Sequence, residues 1–119
     1  MDFSGVILSW RRIGNLARIV RSLLPHVYDV MIWHNDGEDH PLSLADLGLI
    51  DEIGRVFIHN APNVYTAGRF YAASMVSHDN ILTCDDDSLV KNWEAIKEAY
   101  SRDPSRIVAA MPDGHRQHH

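Results

Sequence analysis

The amino-acid sequence predicts a three-layer α/β domain built on a mostly parallel sheet, with helices on both faces. Three observations carry that expectation. Short apolar runs recur at residues 6–10, 30–33, 55–59 and 80–84, each of a length suited to a buried strand. The stretches between several of these runs place apolar residues at helical spacing, and strands alternating with helices imply parallel pairing. Polar and charged residues also gather directly after the apolar runs, at the carboxyl ends of the strands, where such sheets bind ligands.

The elements follow in order. Gly5-Val6-Ile7-Leu8-Ser9-Trp10 contains the first strand, over residues 6–10. Ile13, Leu16, Ile19, Val20, Leu23 and Leu24 then share one face of a helix. Pro25 closes it, because proline lacks the amide proton that the helical ladder needs. Val30-Met31-Ile32-Trp33 is a second buried strand, ended by the turn Asn35-Asp36-Gly37. A short helical piece is expected over residues 43–47, with Gly48 as its stop. Arg55-Val56-Phe57-Ile58-His59 is the third strand, Asn60-Ala61-Pro62-Asn63 a loop, and residues 67–76 a helix. Asn80-Ile81-Leu82-Thr83-Cys84 is the fourth strand and runs straight into Asp85-Asp86-Asp87. Trp93, Ile96 and Tyr100 mark a further helix that stops before Asp103-Pro104, and Ile107-Val108-Ala109-Ala110 reads as a last strand.

At 119 residues the chain has room for one core. Residues 1–112 are expected to form that domain, and 113–119 a disordered tail. The composition is that of an ordinary globular protein, with 45% hydrophobic residues, 23% charged and a net charge of −5. This acidic balance argues against nucleic-acid binding, which needs a basic face to neutralise phosphates. Among the basic residues Arg greatly outnumbers Lys, which favours bidentate contact with discrete phosphates or carboxylates. The single cysteine, Cys84, excludes an internal disulfide and any Cys-rich zinc site. No apolar run approaches the roughly 20 residues of a membrane span, and the acidic opening Met1-Asp2-Phe3 does not resemble a signal peptide. The expected location is therefore intracellular, in the cytoplasm.

Asp85-Asp86-Asp87 is the strongest chemical signal. Three adjacent carboxylates at a strand end repel one another. A hard divalent cation, Mn2+ or Mg2+, resolves the repulsion because it prefers carboxylate and phosphate oxygens. The alternative is a solvated acidic turn capping the next helix. Arg11-Arg12, after the first strand, would bring positive charge to the same edge of the sheet, and cation and guanidinium together suit a diphosphate. The alternative there is a solvated pair opening a helix. Arg69 is a third candidate, set against a surface salt bridge. Asn35 and Asp36 could bond a base or ribose or simply make a turn with Gly37. Trp10 and Trp33 could stack on a base or fill the core. His34, His40, His59 and His78 lack zinc-ligand spacing, and Cys84 lies in an apolar strand; these read as structural.

Together these segments resemble the nucleotide-binding half of a GT-A-type glycosyltransferase, closest to the exostosin-like family. The resemblance rests on Val6-Ile7-Leu8-Ser9-Trp10-Arg11-Arg12, Val30-Met31-Ile32-Trp33-His34-Asn35-Asp36, residues 63–70, and Ile81-Leu82-Thr83-Cys84-Asp85-Asp86-Asp87. It implies a Rossmann-like GT-A nucleotide-diphospho-sugar binding fold, and a DDD form of the DxD motif. It implies nucleotide contacts from Ser9, Trp10, Arg12, Asn35, Asp36 and Asn63, with Arg69 at the diphosphate. Asp85 and Asp86 would lie towards the ribose and donor sugar, Asp87 would hold the metal with Asp85 beside it, and Asp87 and Arg69 would be the catalytic pair. The cofactor would be Mn2+ (or Mg2+), the donor a UDP-sugar, the acceptor a hydroxyl, and the outcome retention of configuration. Such enzymes carry a second half that supplies the acceptor site. The chain is expected to be either truncated or naturally minimal, completing that site from little, for example across a homodimer. Three rivals stand beside this reading: a non-catalytic or slowly hydrolytic nucleotide-sugar binding domain, a nucleotidyltransferase, and a phosphoacceptor signalling domain.

Overall fold

A computed structural model describes residues 2–87 and 89–103. Its strands are β1 (Phe3–Ser9), β2 (Val30–His34), β3 (Val56–Asn60) and β4 (Asn80–Asp85), and its helices are α1 (Leu16–Leu23), α2 (Ala67–Ala73) and α3 (Trp93–Arg102). Short 3-10 turns cover Ile13–Asn15, Leu24–His26 and Ile50–Glu52. The four strands form one sheet in the order β3-β2-β1-β4, and every pairing is parallel.

The chain winds outward from β1 through β2 to β3, then returns to add β4 on the other side of β1. This reversal creates a topological switch point between β1 and β4, where open α/β sheets form their ligand crevice. Register sets what stands there. Leu8 pairs with Asp85 across the switch, and Ser9, His34 and Asn60 are level with one another on the other three strands.

Strand alternation sends successive side chains to opposite faces, and each face has its own core. One is built from Phe3, Ile7, Val30, Ile32, Leu82 and Cys84 packed against Leu16, Ile19, Val20 and Leu23 of α1 and Trp93 and Ile96 of α3. The other joins Val6 and Trp33 to Ala61 and to Ala72 of α2, with Leu8, Met31 and Ile81 packed against them. The α/β expectation, with a parallel sheet and helices on both faces, agrees with this arrangement. Among the described residues no helix is long and apolar enough to cross a membrane.

Several boundaries differ from the sequence expectation. β1 begins at Phe3, because Phe3, Ser4 and Gly5 pair with Asn80, Ile81 and Leu82 of β4, and it ends at Ser9, leaving Trp10 beyond the strand. Residues 43–47 form hydrogen-bonded turns instead of a helix. Ser43 and Asp46 cap each other, Ser43 N donating to Asp46 Oδ2 at 2.9 Å and Asp46 N to Ser43 Oγ at 3.2 Å. Leu49 N then bonds Leu44 O at 2.9 Å with Gly48 at φ +68°, which closes the segment before a second turn can form. α2 ends at Ala73, short of residue 76. Ser77 is drawn instead onto the buried Asp29, its backbone N and Oγ donating to Asp29 Oδ2 at 3.1 and 2.9 Å. The expected strand at 107–110 and the tail lie outside the described residues.

Candidate functional site

The carboxyl edge of the sheet opens at the β1/β4 switch point into a cleft of about 530 Å³, within the range of small-molecule sites. Leu8, Trp10 and Arg12 line it from β1 and the segment that follows, and Asp85, Asp86 and Asp87 from β4 and its turn. Asn35, Asn63, Tyr65, Thr66 and Arg69 close the third side. Trp10, Arg12, Asn35, Asn63, Arg69 and the three aspartates, all singled out in the sequence, therefore come together.

The three carboxylates avoid mutual repulsion by taking separate partners. Arg69 Nη2 donates to Asp85 Oδ1. The Trp10 backbone N–H donates to Asp86 Oδ2 at 2.7 Å. Arg12 Nη1 donates to Asp87 Oδ2 at 3.0 Å. The environments differ in a way that separates the roles. Asp85 and Asp87 keep 52% and 44% of their side-chain surface exposed, whereas Asp86 is only 8% exposed. Burial pushes the Asp86 carboxyl above its ordinary value of 3.8, with the Trp10 N–H bond pulling the other way. Asp86 thus braces the segment after β1 against the segment after β4, while its two neighbours face the cleft.

The pairs at Asp85 and Asp87 are partly solvated, and such ion pairs contribute at most about 1 kcal/mol each. They can be exchanged for a stronger ligand at little cost. Arg69 also carries spare capacity, because its Nε is buried without a hydrogen-bond partner. Cys84, next to this cluster, is no part of its chemistry. Burial, aided by the negative Asp85, pushes its thiol up to about 12, so it stays protonated and inert.

Four sequence candidates, Ser9, Asp36, Arg11 and Trp33, stand away from the cleft. Ser9 is fully buried and its Oγ bonds His34 Nδ1 at 3.0 Å, which ties β1 to β2. Asp36 leaves β2 on the side opposite to Asn35. It meets His40 Nδ1 at 3.0 Å and Arg11 Nε at 3.9 Å beside a second cavity of about 560 Å³. Of the two adjacent arginines, only Arg12 lines the switch-point cleft. Trp33 is core, 6% exposed, while Trp10 is 37% exposed with the Arg11 guanidinium 4.3 Å from its ring centroid.

Tyr65 and Thr66 were not singled out in the sequence. Tyr65 adopts φ 55°, a left-handed conformation uncommon outside glycine. Its backbone N donates to Asn63 Oδ1 at 2.9 Å, an Asx turn that the Pro62-Asn63 pair could have signalled.

The residues present suit a hard cation shared with a phosphorylated ligand. Among the described residues no three His, Cys, Asp or Glu side chains converge on one point, so Asp85 and Asp87 would offer a sparse, all-oxygen donor set. Mg2+-type sites are commonly built from one or two carboxylates, with substrate phosphates and water completing the shell.

Among known proteins, the profile described as the glycosyl transferase family 64 domain matches residues 3–119. That span takes in every element described above. No curated protein matches the chain significantly.

Proposed function

The chain belongs to glycosyl transferase family 64, and on that footing we propose that the switch-point cleft binds a nucleoside diphosphate sugar with a divalent cation and transfers the sugar to a hydroxyl acceptor. Membership makes the protein a glycosyltransferase and sets aside the nucleotidyltransferase and phosphoacceptor alternatives. The observation that carries the finer reading is the facing of two half-exposed carboxylates, Asp85 and Asp87, by two guanidiniums, Arg69 and Arg12, across one cleft. Metal and diphosphate would replace these internal partners charge for charge. The GT-A assignment, the UDP preference, Mn2+ and retention of configuration are supported by the resemblance to exostosin-like enzymes described above.

In this reading Asp87, with Asp85, holds the cation, which when bound supplies Lewis-acid charge neutralisation at the diphosphate. Arg69 and Arg12 donate to phosphate oxygens. As the bond between the sugar and the diphosphate breaks, negative charge grows on the departing oxygen, and preformed guanidinium donors stabilise it without reorganising solvent. Trp10, Asn63 and Tyr65 border the volume left for nucleoside and sugar.

Incubation with UDP-sugars, Mn2+ and a panel of saccharide hydroxyl acceptors tests this. Glycosylated product that depends on metal and disappears in Asp87→Ala supports the proposal. Full metal-dependent turnover by Asp87→Ala would sink it, and free sugar as the sole product would identify a hydrolytic donor-binding domain instead.

A further inference from the structure

The second cavity, about 560 Å³, is similar in size to the switch-point cleft, and the donor reading leaves it without a role. The two stand back to back. Trp10 lines the cleft and Arg11 the cavity, with the guanidinium 4.3 Å from the indole centroid. We propose that this cavity is a saccharide exosite, which takes one ring of an extended acceptor apart from the ring that receives the transferred sugar. Its role toward an acceptor rests on the transferase reading above, and the site itself on geometry alone.

The walls are fixed by the fold. Asn60, the last residue of β3, engages both backbone groups of Leu42, accepting from Leu42 N at 2.9 Å and donating to Leu42 O at 3.0 Å. Gly37 lies so close to β3 that a Cβ there would fall 2.4 Å from Asn60 Cα. His34, 2% exposed, spends its two ring nitrogens on Ser9 Oγ and His40 O, each at 3.0 Å. On the side of β1, Arg12 N bonds Trp10 O at 2.8 Å around Arg11 at φ 61°, a three-residue turn of the strained kind. That turn sets Arg11 on the cavity and Arg12 on the cleft. Backbone held in this region gathers at ligand clamps, where the surroundings over-determine it.

The groups on these walls match a sugar ring. Ile13, Pro41 and Leu42 supply an apolar side, and Ile13 remains 45% exposed. A pyranose has a C–H face that rests on such a surface and a rim of hydroxyls that both donate and accept. The cavity offers partners of both kinds. The Arg11 guanidinium makes no hydrogen bond among the described residues, and its Nε is 3.9 Å from Asp36 Oδ2. The same Oδ2 lies 3.0 Å from His40 Nδ1, which orients the ring and leaves Asp36 Oδ1 and His40 Nε2 for a ligand. Asp36 and Asp46 set against Arg11 disfavour a phosphate and suit a neutral polyol.

The test titrates lactose, cellobiose, maltose and chitobiose into nitrogen-15-labelled protein saturated with UDP–Mg2+, read at the Leu42 amide, for wild type, His40→Ala and Ile13→Ala. At least one disaccharide should shift this signal saturably. Each variant should bind that sugar about fivefold more weakly, for one lost hydrogen bond or one lost apolar contact. Calorimetry should show UDP–Mg2+ affinity unchanged in both. The altered side chains are 74% exposed at His40 and the residue 45% exposed at Ile13, so both variants keep the fold. The proposal is overturned if none of the four sugars moves the Leu42 signal, or if both variants bind sugar as wild type does. It is overturned equally if the shift appears without UDP–Mg2+ and vanishes with it, because the sugar then sits in the cleft. If wild type binds no UDP, the donor reading fails, and the same titration without UDP still decides the cavity.

Discussion

Replacing Gly68 with alanine places a methyl group 2.4 Å from Trp33 Cδ1 and Nε1 and 3.0 Å from Cγ. Contacts this short cannot persist, and the neighbour that must move is a core indole 6% exposed. Overpacking of this kind costs about 1–3 kcal/mol. Displacing the indole also breaks its hydrogen bond to Asn35 Oδ1, 2.9 Å in the wild type, at about 1 kcal/mol. Alanine recovers up to about 1 kcal/mol over glycine through helix propensity, and less here, because Gly68 is only the second residue of α2. The net expectation is a loss of about 2 kcal/mol. Urea unfolding followed by tryptophan fluorescence measures it, and with a slope of about 2 kcal/mol/M the midpoint should fall by about 1 M. A Gly68→Ala protein as stable as wild type would refute the close Trp33–α2 packing from which these numbers follow.

Arg69→Ala should weaken binding of nucleoside diphosphate with Mn2+ by about tenfold to a hundredfold, the worth of charge-assisted hydrogen bonds, with Arg69→Lys intermediate because it keeps the charge and loses the fork; calorimetry reads both. Asp86 is held above 3.8 by burial, so the native state keeps its proton to higher pH than the unfolded chain does. Its favourable share of stability is complete below about 3.8 and is lost as pH rises through the raised native value. The stability of wild type relative to Asp86→Asn should therefore fall as pH rises through that window, and parallel curves in urea titrations would contradict the buried placement. Cys84, with its thiol pushed up to about 12, should resist iodoacetamide at pH 8 in the native protein and react fully in urea, as mass spectrometry would show.

Much of this architecture was legible in the sequence for a simple reason. A parallel sheet buried on both faces writes its strands as continuous apolar runs, and its ligand-bearing residues follow those runs directly. Asp85, Asp86 and Asp87 at the end of β4 and Arg12 after β1 could be placed at one edge before any coordinates. What separates like from like was not legible. Three consecutive aspartates look equivalent in a sequence, yet register at the β1/β4 switch turns Asp86 onto the Trp10 amide and leaves Asp85 and Asp87 half exposed. The same holds for Arg11 and Arg12, and for Asn35 and Asp36, which part to opposite sides of the sheet edge. Asp29 gave no signal at all. Only the fold brings Ser4 and Ser77 onto its carboxylate. Length also misled at residues 43–47, where reciprocal capping by Ser43 and Asp46 makes one turn that Gly48 ends.

The central claim is that the switch-point cleft is a metal-dependent nucleotide-sugar site. Calorimetric titration of UDP, GDP and their sugar conjugates, with and without Mn2+, on wild type and Asp87→Ala tests it most directly. The account predicts metal-dependent binding of one nucleotide class, lost in Asp87→Ala while the fold is retained. A folded wild type that binds none of them would contradict it and leave Asp85-Asp86-Asp87 as an acidic turn.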